Sequence, residues 1–470
     1  MRESVVIFSA NRDLQVSLAK SCRHVLAAEV QATEEFEPAR EILRTTSSPI
    51  VLVDLRPGFI NPQTRQLLAY LQTDAERGID LVTISDGFYP LDIAEVVELF
   101  ATANIDDRLN EEQIGRTLQS VKRRRRSNTK RTIAETIEVQ AGDVSIKTRS
   151  LAFREVLNQI TRVAIHDVTL LVVGETGTGK STVARLIHEL SNRRDRPFHT
   201  VACGALPRDL IESELFGHVR GAFTGADRMK IGRFEAAGQG TLLLDEIDVL
   251  GPKEQAKLLR IIETSEYEMV GSTETQMSKA RLIAAANVDL KTMMQNMEFR
   301  SDLYYRLNVL EFQLPPLRKR TEDVVPLALQ FIEECCSEHQ IRIDQVHIDF
   351  LDALKTYHWP GNIRELKNQV QRSVLFCDDR SLKVNDLSQV ILKAQFDAIE
   401  ETFDESDATS LADRVACNER QILEEALRQN GNNRTATARS LGISRVGLYK
   451  KMRKYGMLEA SLGKNGRVAR

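Results

Sequence analysis

The residues with the clearest chemical meaning occupy positions 174–181 and read GETGTGKS. Their spacing is that of a P-loop, G-x-x-x-x-G-K-[ST], in which glycines let backbone N–H groups turn towards phosphate oxygens. An apolar strand is predicted before the segment, and the helix predicted after it adds positive charge at its N-terminus. We therefore predict an ATP site in which Lys180 neutralises the β- and γ-phosphates and Ser181 binds Mg²⁺. The residues expected to hold the nucleotide are Gly174, Glu175, Thr176, Gly177, Thr178, Gly179, Lys180 and Ser181.

An acidic pair further along the chain can supply the other half of this phosphate chemistry. The segment TLLLDEID is an apolar run of strand length that ends in Asp245 and Glu246. We expect Asp245 to hold the Mg²⁺ ion and Glu246 to act as the base that polarises the attacking water. Together with the P-loop, this pair predicts hydrolysis of ATP.

Three arginines could complete the charge around the γ-phosphate. A metal ion and a lysine leave the transition state under-neutralised, and an arginine from a neighbouring subunit can supply the missing charge. Arg300 and Arg306 lie six residues apart in FRSDLYYRL, so we place them on different faces of a helix. We expect these two to act as arginine fingers, and Arg364 in WPGNIREL to report the nucleotide state from a helical subdomain.

Composition limits the partners and the compartment. The chain has 470 residues, of which 42% are hydrophobic and 28% charged, and its net charge is -3. Because the whole chain is not a polycation, any contact with nucleic acid must come from a local basic patch. The six cysteines include no C-x-x-C pair, and no apolar run approaches the ~20 residues of a membrane span. We therefore expect reduced thiols and a cytoplasmic protein.

Alternating strand and helix patterns divide the chain into pieces. Up to about residue 120, apolar runs such as SVVIFSA and PIVLVDL alternate with helical spacing, which predicts a parallel sheet with helices on both faces. The basic run VKRRRRSNTKR begins a predicted linker, for which an arm that touches nucleic acid is the alternative. The later pieces are the linker over 121–145, an α/β region over 146–315, a helical region over 316–390, an acidic linker over 391–415 and short helices over 416–458.

Seven motifs in order carry a family resemblance: GETGTGKS, ESELFGH, GAFTGA, GTLLLDEID, FRSDLYYRLNV, LPPLRKR and WPGNIREL. The set resembles the bacterial enhancer-binding proteins, which are AAA+ activators of sigma-54 RNA polymerase. The resemblance implies that Asn287 and Arg364 contact the nucleotide, and that a ring, usually a hexamer, brings Arg300 and Arg306 to a neighbour's ATP. The implied α/β multidomain fold has a receiver-like doubly wound domain over 1–120, an AAA+ P-loop ATPase with a helical lid over 146–390 and an all-α helix-turn-helix over 416–458.

The same resemblance assigns a partner to the GAFTGA segment. In such proteins this loop contacts sigma-54 and remodels the polymerase at the promoter. Its glycines tolerate the backbone changes of a moving loop, and Phe223 offers a compact group to bury in a partner. Composition alone favours the alternative, a loop that packs its Phe against its own domain. The expected partner-binding residues are Gly221, Ala222, Phe223, Thr224, Gly225 and Ala226.

Two residues of the ATPase depart from the family pattern. Ala202 stands where an Asn usually precedes the Cys. In the resembling proteins that Asn holds the catalytic Glu in check until the partner engages. The absence of the Asn leaves open whether Glu246 is coupled to a partner in this way. Ala286 replaces the usual Thr of the sensor strand, which keeps Asn287. We expect hydrolysis to survive both changes, because Lys180, the acidic pair and both finger arginines are present.

The C-terminal segment GNNRTATARSLGISRVGLYKKMRKYGM resembles the Fis-type helix-turn-helix. The resemblance implies a first helix over 434–441 and a recognition helix over 445–454 in the major groove, with a dimer contact over 414–428. A basic amphipathic helix alone would instead fit a solvated face. The expected DNA-binding residues are Ser444, which would cap the recognition helix, and Arg445, Lys450, Lys451 and Arg453.

The N-terminal piece resembles a response-regulator receiver of two-component systems that lacks part of the usual chemistry. Asp54 stands at the phospho-acceptor position and Ser85 near the hydroxyl position. The acidic pair that would hold Mg²⁺ is absent from FSANRD, and no Lys follows NIDDRL. We therefore expect that Asp54 is not phosphorylated and that the domain answers to a protein partner or serves in dimerisation.

An anion site is a further hypothesis. Some relatives with such receivers bind cyclic di-GMP near the ATPase, and a group of arginines could form a pocket for it here. A solvated basic surface is the alternative. These arginines are Arg149, Arg193, Arg194 and Arg196.

The leading hypothesis for function is a DNA-binding transcription activator that hydrolyses ATP to remodel sigma-54 RNA polymerase from an upstream site. One alternative is a DNA-binding regulator that responds to a nucleotide or second messenger with little hydrolysis. A remodelling ATPase unrelated to transcription is a second alternative, but it would leave residues 430–456 without a role.

Overall fold

The computed structural model describes residues 3–46, 48–73, 78–106, 111–126 and 136–393, and Thr437. The chain separates into two compact units, Met1–Gln395 and Phe396–Arg470, and the architecture below belongs to the first. Apart from Thr437, the predicted helix-turn-helix lies outside the described residues. The predicted DNA-binding residues are therefore not placed: Ser444, Arg445, Lys450, Lys451 and Arg453.

The N-terminal domain is the predicted doubly wound α/β fold. Alternate residues of the central strands enter a core on either side of the sheet, so that Val6 and Phe8 face one core and Val5 and Ile7 face the other. Its elements are β1 (Ser4–Phe8), α1 (Arg12–Leu26), β2 (Glu29–Thr33), α2 (Phe36–Thr45), β3 (Ile50–Asp54), α3 (Pro62–Thr73), β4 (Asp80–Ile84), β5 (Phe88–Pro90), α4 (Leu91–Phe100), β6 (Ala101–Ile105) and α5 (Glu111–Arg126). The parallel sheet has the order β2-β1-β3-β4-β6, and the short β5 lies outside it.

The region predicted as a linker over 121–145 is partly regular structure. The helix α5 continues through the start of the basic run to Arg126, because Leu118 and Val121 are buried on its inner face. An antiparallel hairpin follows, formed by β7 (Ile137–Ala141) and β8 (Val144–Thr148). Apolar side chains alternate along both strands and pack on the ATPase core, which is the physical reason that this segment is ordered.

The α/β half of the ATPase domain follows the hairpin. The larger elements are α6 (Leu151–Val163), β9 (Leu170–Val173), α7 (Lys180–Glu189), β10 (Phe198–Ala202), α8 (Arg208–Phe216), α9 (Arg233–Ala237), β13 (Thr241–Asp245), α10 (Pro252–Thr264), β16 (Arg281–Ala286), α11 (Leu290–Gln295), α12 (Ser301–Leu307) and β17 (Glu311–Gln313). The parallel sheet has the order β10-β13-β16-β9-β17, so β9 lies between β16 and β17. Two short hairpins pair β11 (Gly217–His218) with β12 (Lys230–Ile231) and β14 (Glu266–Glu268) with β15 (Thr275–Met277).

The lid is mostly helical, as predicted. Its elements are α13 (Val324–His339), β18 (Gln345–His347), α14 (Ile348–Thr356), α15 (Asn362–Leu375) and β19 (Ser381–Leu382). The strand β18 pairs with β19 and, on its other side, with β5 of the N-terminal domain. No pattern in the sequence predicts this sheet between domains.

A membrane span is not found in the part of the chain that the structure describes, because no helix there is long and apolar enough to cross a bilayer.

Candidate nucleotide site

The P-loop joins β9 to α7 at the carboxyl edge of the ATPase sheet, where β13 and β16 also end. Gly177 and Gly179 have φ angles of 80° and 99°, a left-handed region in which glycine is not strained. Gly179 directly precedes the first residue of α7, so the helix N-terminus opens into this loop. The local sequence thus builds a backbone cradle with partial positive charge.

The Lys180 amine lies inside this cradle and is buried. Its Nζ donates to the carbonyl oxygens of Gly174 (2.8 Å) and Glu175 (3.1 Å) and to Oδ1 of Asn287 (2.6 Å). Burial lowers the pKa of Lys180, and the neighbouring Asp245 carboxylate opposes that shift. The structure therefore brings the predicted residues Lys180 and Asn287 together, although they are 107 positions apart in the chain.

The acidic pair sits at the end of β13, next to the start of α7. Ser181 Oγ donates to Asp245 Oδ2 at 2.9 Å, so the two predicted Mg²⁺ ligands are adjacent. Glu246 has φ 59° and ψ 48°, an uncommon conformation for a residue other than glycine that turns the chain sharply after the strand. These oxygen groups have the donor chemistry that Mg²⁺ prefers.

Ala202 lies beside Asp245 across the paired strands β10 and β13. The Glu246 carboxylate is instead close to Gly204, where an added Cβ would lie 2.0 Å from its Oε2. A methyl group at 202 offers no hydrogen bond to Glu246, so the side-chain amide that restrains this Glu in resembling proteins is missing. A changed coupling between hydrolysis and a partner stays a prediction.

Both predicted finger arginines lie on the surface. Arg306 is in the last turn of α12, and Arg300 directly precedes this helix as its N-cap. Arg300 forms an ion pair with Asp302 (2.8 Å) and Arg306 with Glu263 (3.0 Å). Both arginine side chains are about half exposed, at 46% and 60%. Such exposed ion pairs are weak, so either guanidinium can exchange its carboxylate partner for another anion.

Lid groups contact each of four successive P-loop residues. The predicted residue Arg364 is also close to the P-loop, because its Cβ lies 3.1 Å from the position that a Cβ on Gly177 would take. Burial is the main cause of the lowered pKa of Lys180, and the positive charge of Arg364 lowers it further. The hydrogen-bonded pairs are Arg318 with the Glu175 carboxylate (2.5 and 2.7 Å), Asn362 Nδ2 with Thr176 O (3.0 Å), Ile363 N with Gly177 O (2.9 Å) and Arg320 Nη2 with Thr178 O (2.8 Å).

Two of these lid residues are deeply buried and were missed by sequence reasoning. Arg320 stacks on the Phe153 ring at 4.7 Å, and burial lowers its pKa to about 10, so it stays charged at neutral pH. Asn362 Oδ1 accepts from the backbone N–H of Leu317 at 2.7 Å while its amide holds the P-loop. The motifs LPPLRKR and WPGNIREL contained both residues, but nothing in their spacing showed that they reach the P-loop.

The GAFTGA loop lies against its own domain in this structure. Gly221 and Gly225 have φ angles of 83° and 99° and have open space where a Cβ would be. The Phe223 ring is 38% exposed and packs edge-on against the His218 ring, with centroids 4.9 Å apart. Both interpretations thus keep support, because the ring packs on its own domain and also offers apolar surface to a partner.

In the receiver-like domain, the carboxylate at the phospho-acceptor position is already hydrogen bonded by side chains of the same domain. Asp54 is buried, and both of its oxygens accept from the Arg56 guanidinium at 2.9 Å. Ser9 Oγ donates to Asp54 Oδ2 at 2.7 Å, at the place where an acidic residue would bind a metal ion in a working receiver. Ser85 is hydrogen bonded to Tyr89 (2.6 Å). This geometry supports the expectation that Asp54 is not phosphorylated.

The arginines of the proposed anion pocket differ in their surroundings. Arg149 is buried and donates to Glu95 (2.5 Å) and Thr136 (3.0 Å). Arg193 donates to Asp167 and to three backbone carbonyl oxygens. Arg194 and Arg196 are exposed. The structure therefore leaves cyclic di-GMP binding as a prediction.

Comparison with known families gives a consistent result. The Sigma-54 interaction domain family matches residues 146–313, the AAA+ ATPase lid domain family 318–402, and the family of Bacterial regulatory protein, Fis family 418–455. Apart from Thr437, the last match covers residues that the structure does not describe. The lid match and the P-loop together mark a nucleotide-binding protein.

Curated relatives share the same region. The chain is 42% identical over 312 residues to the regulatory protein AtoC of Escherichia coli K12, covering 66% of this chain and 68% of that protein. It is 39% identical over 335 residues to the transcriptional regulatory protein ZraR of Salmonella typhimurium LT2, covering 71% and 74%. For the formate hydrogenlyase transcriptional activator FhlA of Escherichia coli K12 the figures are 40% over 320 residues, with 67% and only 44% covered.

A solved structure of NtrX from Brucella abortus covers 97% of this chain and 100% of its own, with a TM-score of 0.50 and 24% identity. At that identity the similarity concerns the fold alone. The sequence matches identify the chain more closely: it belongs to the family of transcriptional regulators that carry a sigma-54 interaction domain and a Fis-type domain.

Proposed function

We propose that this protein hydrolyses ATP to remodel sigma-54 RNA polymerase and activates transcription from an upstream DNA site. The observation that carries the proposal is the convergence of Lys180, Ser181, Asp245 and Asn287 at one sheet edge, under a lid that contacts the P-loop. The GAFTGA loop belongs to the same α/β half, so a change at the nucleotide can reach it within one domain.

Each group has a role in this reaction. Ser181 and Asp245 would hold a Mg²⁺ ion, which would supply positive charge against the phosphates. Glu246 would accept a proton from the attacking water, and Lys180 would stabilise charge on the phosphates. Arg300 and Arg306 would come from the neighbouring subunit of a ring, usually a hexamer in this family.

DNA binding would come from the C-terminal segment. Ser444, Arg445, Lys450, Lys451 and Arg453 belong to the stretch matched by the Fis family. A dimer contact over 414–428 is part of the same proposal. A basic recognition helix positions itself through phosphates and reads base edges in the major groove. A regulator that binds DNA and polymerase would act in the bacterial cytoplasm.

Transcription in vitro with sigma-54 holoenzyme tests the proposal. We expect promoter opening with ATP and none without it. Replacing Phe223→Ser should abolish opening while phosphate release persists, because the change removes the apolar tip but leaves the nucleotide site intact. Phe376→Ser is the matched control, since Phe376 is 74% exposed at the end of the lid helix α15. Unimpaired opening by the Phe223 variant would contradict the proposed role of the loop.

A regulator that responds to a nucleotide or second messenger with little hydrolysis is the second candidate, and Ala202 bears on it through the link between Glu246 and a partner. Without an amide at this position, Glu246 lacks the restraint that links hydrolysis to a partner in resembling proteins. Isothermal titration with cyclic di-GMP tests the ligand-responsive form of this candidate. Heat of binding that disappears in an Arg194→Ala/Arg196→Ala variant would support it, and absence of heat would remove the second messenger from consideration.

A further inference from the structure

The lid packs with the N-terminal domain as one hydrophobic body. Among the described residues, a single buried cluster contains Tyr89, Ile93 and Val97 of the N-terminal domain together with Leu329 and Phe350 of the lid. The buried side chains of the α/β half of the ATPase form separate clusters. Any rotation of the lid about the α/β half must therefore move the N-terminal domain or break this core.

Backbone pairing adds to that contact. The short strand β5 runs antiparallel to β18, with Tyr89 opposite Val346. Ile348 N donates to Gly87 O at 2.9 Å, next to the pairing. Gly87 has φ 94°, and a Cβ there would lie 2.5 Å from the His347 ring, so this approach requires glycine. The loop between β4 and α4 is thus fixed to the lid by main-chain bonds.

The helix α4 connects both sides of the lid hinge. Glu98 forms an ion pair with Lys355 of the lid helix α14 at 2.5 Å, and its side chain is 10% exposed. Glu95, three residues earlier and on the same side of the helix, pairs with Arg149 at 2.5 Å. Arg149 belongs to the α/β side, between the end of β8 and Ser150, which is the N-cap of α6. Two carboxylates of one helix therefore link the lid to the α/β half, which must move relative to each other when the lid opens or closes.

The hinge itself lies at these residues. The backbone N–H of Arg149 donates to Asp323 Oδ1 at 2.7 Å, and Thr148 Oγ1 donates to Asp323 Oδ2 at 2.7 Å. Asp323 stands at the start of the lid helix α13, three residues after the P-loop contact Arg320. A restraint applied at Arg149 and Lys355 therefore acts across the connection that leads to the phosphate cradle.

We propose that α4 is an autoinhibitory staple, formed by the Glu95–Arg149 and Glu98–Lys355 pairs, that restrains the lid and slows nucleotide turnover. The inference rests on the ATPase function proposed above. Nucleotide enzymes cycle through lid opening and closing, and a contact that favours one lid position slows the cycle. The signal that relieves it acts by removing α4 from the hinge, and phosphorylation of the occupied Asp54 pocket is not required.

The experiment compares full-length chains with and without the staple. The variant Glu95→Gln/Glu98→Gln removes both charges while keeping side-chain size. The matched control is Asp92→Asn, because Asp92 is on the same helix and pairs with Arg65 of its own domain. We expect the double variant to raise the turnover number for phosphate release by about threefold to tenfold, and the control to leave it unchanged.

Hydrogen exchange in the same samples reports the contact independently of turnover. The staple predicts faster exchange of the β5 and β18 amides in the double variant, and no change in the control. Faster exchange with the parental turnover number would overturn the proposal, as would a lower turnover number.

If neither the parent nor the variants release phosphate, the proposed ATPase function fails and the staple is judged by nucleotide binding. It then predicts a faster release of a fluorescent ADP analogue from the double variant. An ADP release rate equal to that of the parent would overturn it.

Discussion

Two edges of parallel sheets in this protein have opposite chemistry, although the strand orders of the two sheets differ. In both α/β domains, parallel strands end at an edge where ligands usually bind. At the ATPase edge, Lys180 and two left-handed glycines form a cradle, and the Asp245 carboxylate accepts from the Ser181 hydroxyl and from the Glu246 backbone N–H. At the N-terminal edge, Asp54 is buried and both of its oxygens are bound by Arg56.

The difference shows that the fold supplies the place and the side chains decide its use. A carboxylate at such an edge needs a positive partner, and it can come from a bound metal ion or from the chain itself. Arg56 supplies it internally at the N-terminal edge, so Asp54 has little capacity left for Mg²⁺ or a phosphoryl group. The ATPase edge keeps its charge available for phosphate.

The largest expected effect is loss of turnover when the ATPase edge loses its amine. Lys180→Ala should reduce phosphate release by more than about 10²-fold, because a preorganised positive group at the phosphates is removed. The measurement is steady-state release with Mg-ATP. Lys319→Ala is the control, since Lys319 is an exposed lysine near the same loop. Equal losses in both variants would show that general positive charge, and not the cradle position, matters.

The second effect concerns the other edge. Arg56→Met leaves the buried Asp54 carboxylate without its counter-charge, which should cost about 3 kcal/mol of local stability. Hydrogen exchange of the β3 amides in the full-length chain measures that loss. Adding Asp54→Asn should recover most of it, because the unpaired charge disappears. A single variant as stable as the parent would mean that water or another group already satisfies Asp54.

Sequence reasoning worked where the chemistry is continuous in the chain. The P-loop and the acidic strand end each lie within eight neighbouring residues, and their flanking strand and helix patterns are strong. The lid contacts could not be predicted in this way. Arg320 and Thr178 are 142 positions apart, and no local pattern encodes which carbonyl oxygen a buried guanidinium will find.

The contact between the N-terminal domain and the lid escaped prediction for a related reason. Strands of three residues, such as β5 and β18, are too short to show an alternating pattern. The absence of acidic residues after β1 was visible in the sequence. The sequence did not show that Arg56 supplies the positive partner of Asp54, because an arginine two positions after Asp54 could equally point to solvent.

A third, smaller effect tests whether the ATPase edge depends on its lid. Asn362→Ala should cost about 2 kcal/mol, because it leaves the buried N–H of Leu317 and the Thr176 carbonyl without partners. Its φ of 51° suits asparagine better than alanine and adds to the cost. Nucleotide affinity should fall together with the thermal midpoint. Gln371→Ala, later on the same helix, should change neither, and an unchanged affinity in the Asn362 variant would separate the lid from the P-loop.

The smallest effect asks whether the N-terminal edge keeps any receiver function. Ser85 stands near the hydroxyl position of a receiver, yet it donates to Tyr89 at 2.6 Å inside the core shared with the lid. The same hydroxyl oxygen accepts from the Gly87 N–H at 3.2 Å, so Ser85→Ala should cost about 1.5 kcal/mol of local stability, measured by exchange of the β4 and β5 amides. Ser120→Ala, which removes an exposed hydroxyl on α5, should cost less. Acetyl phosphate should leave the amide exchange of the parent and of both variants unchanged, because Arg56 is already bonded to Asp54. A change in the exchange of the parent that Ser85→Ala abolishes would instead indicate a phosphorylation switch in this domain.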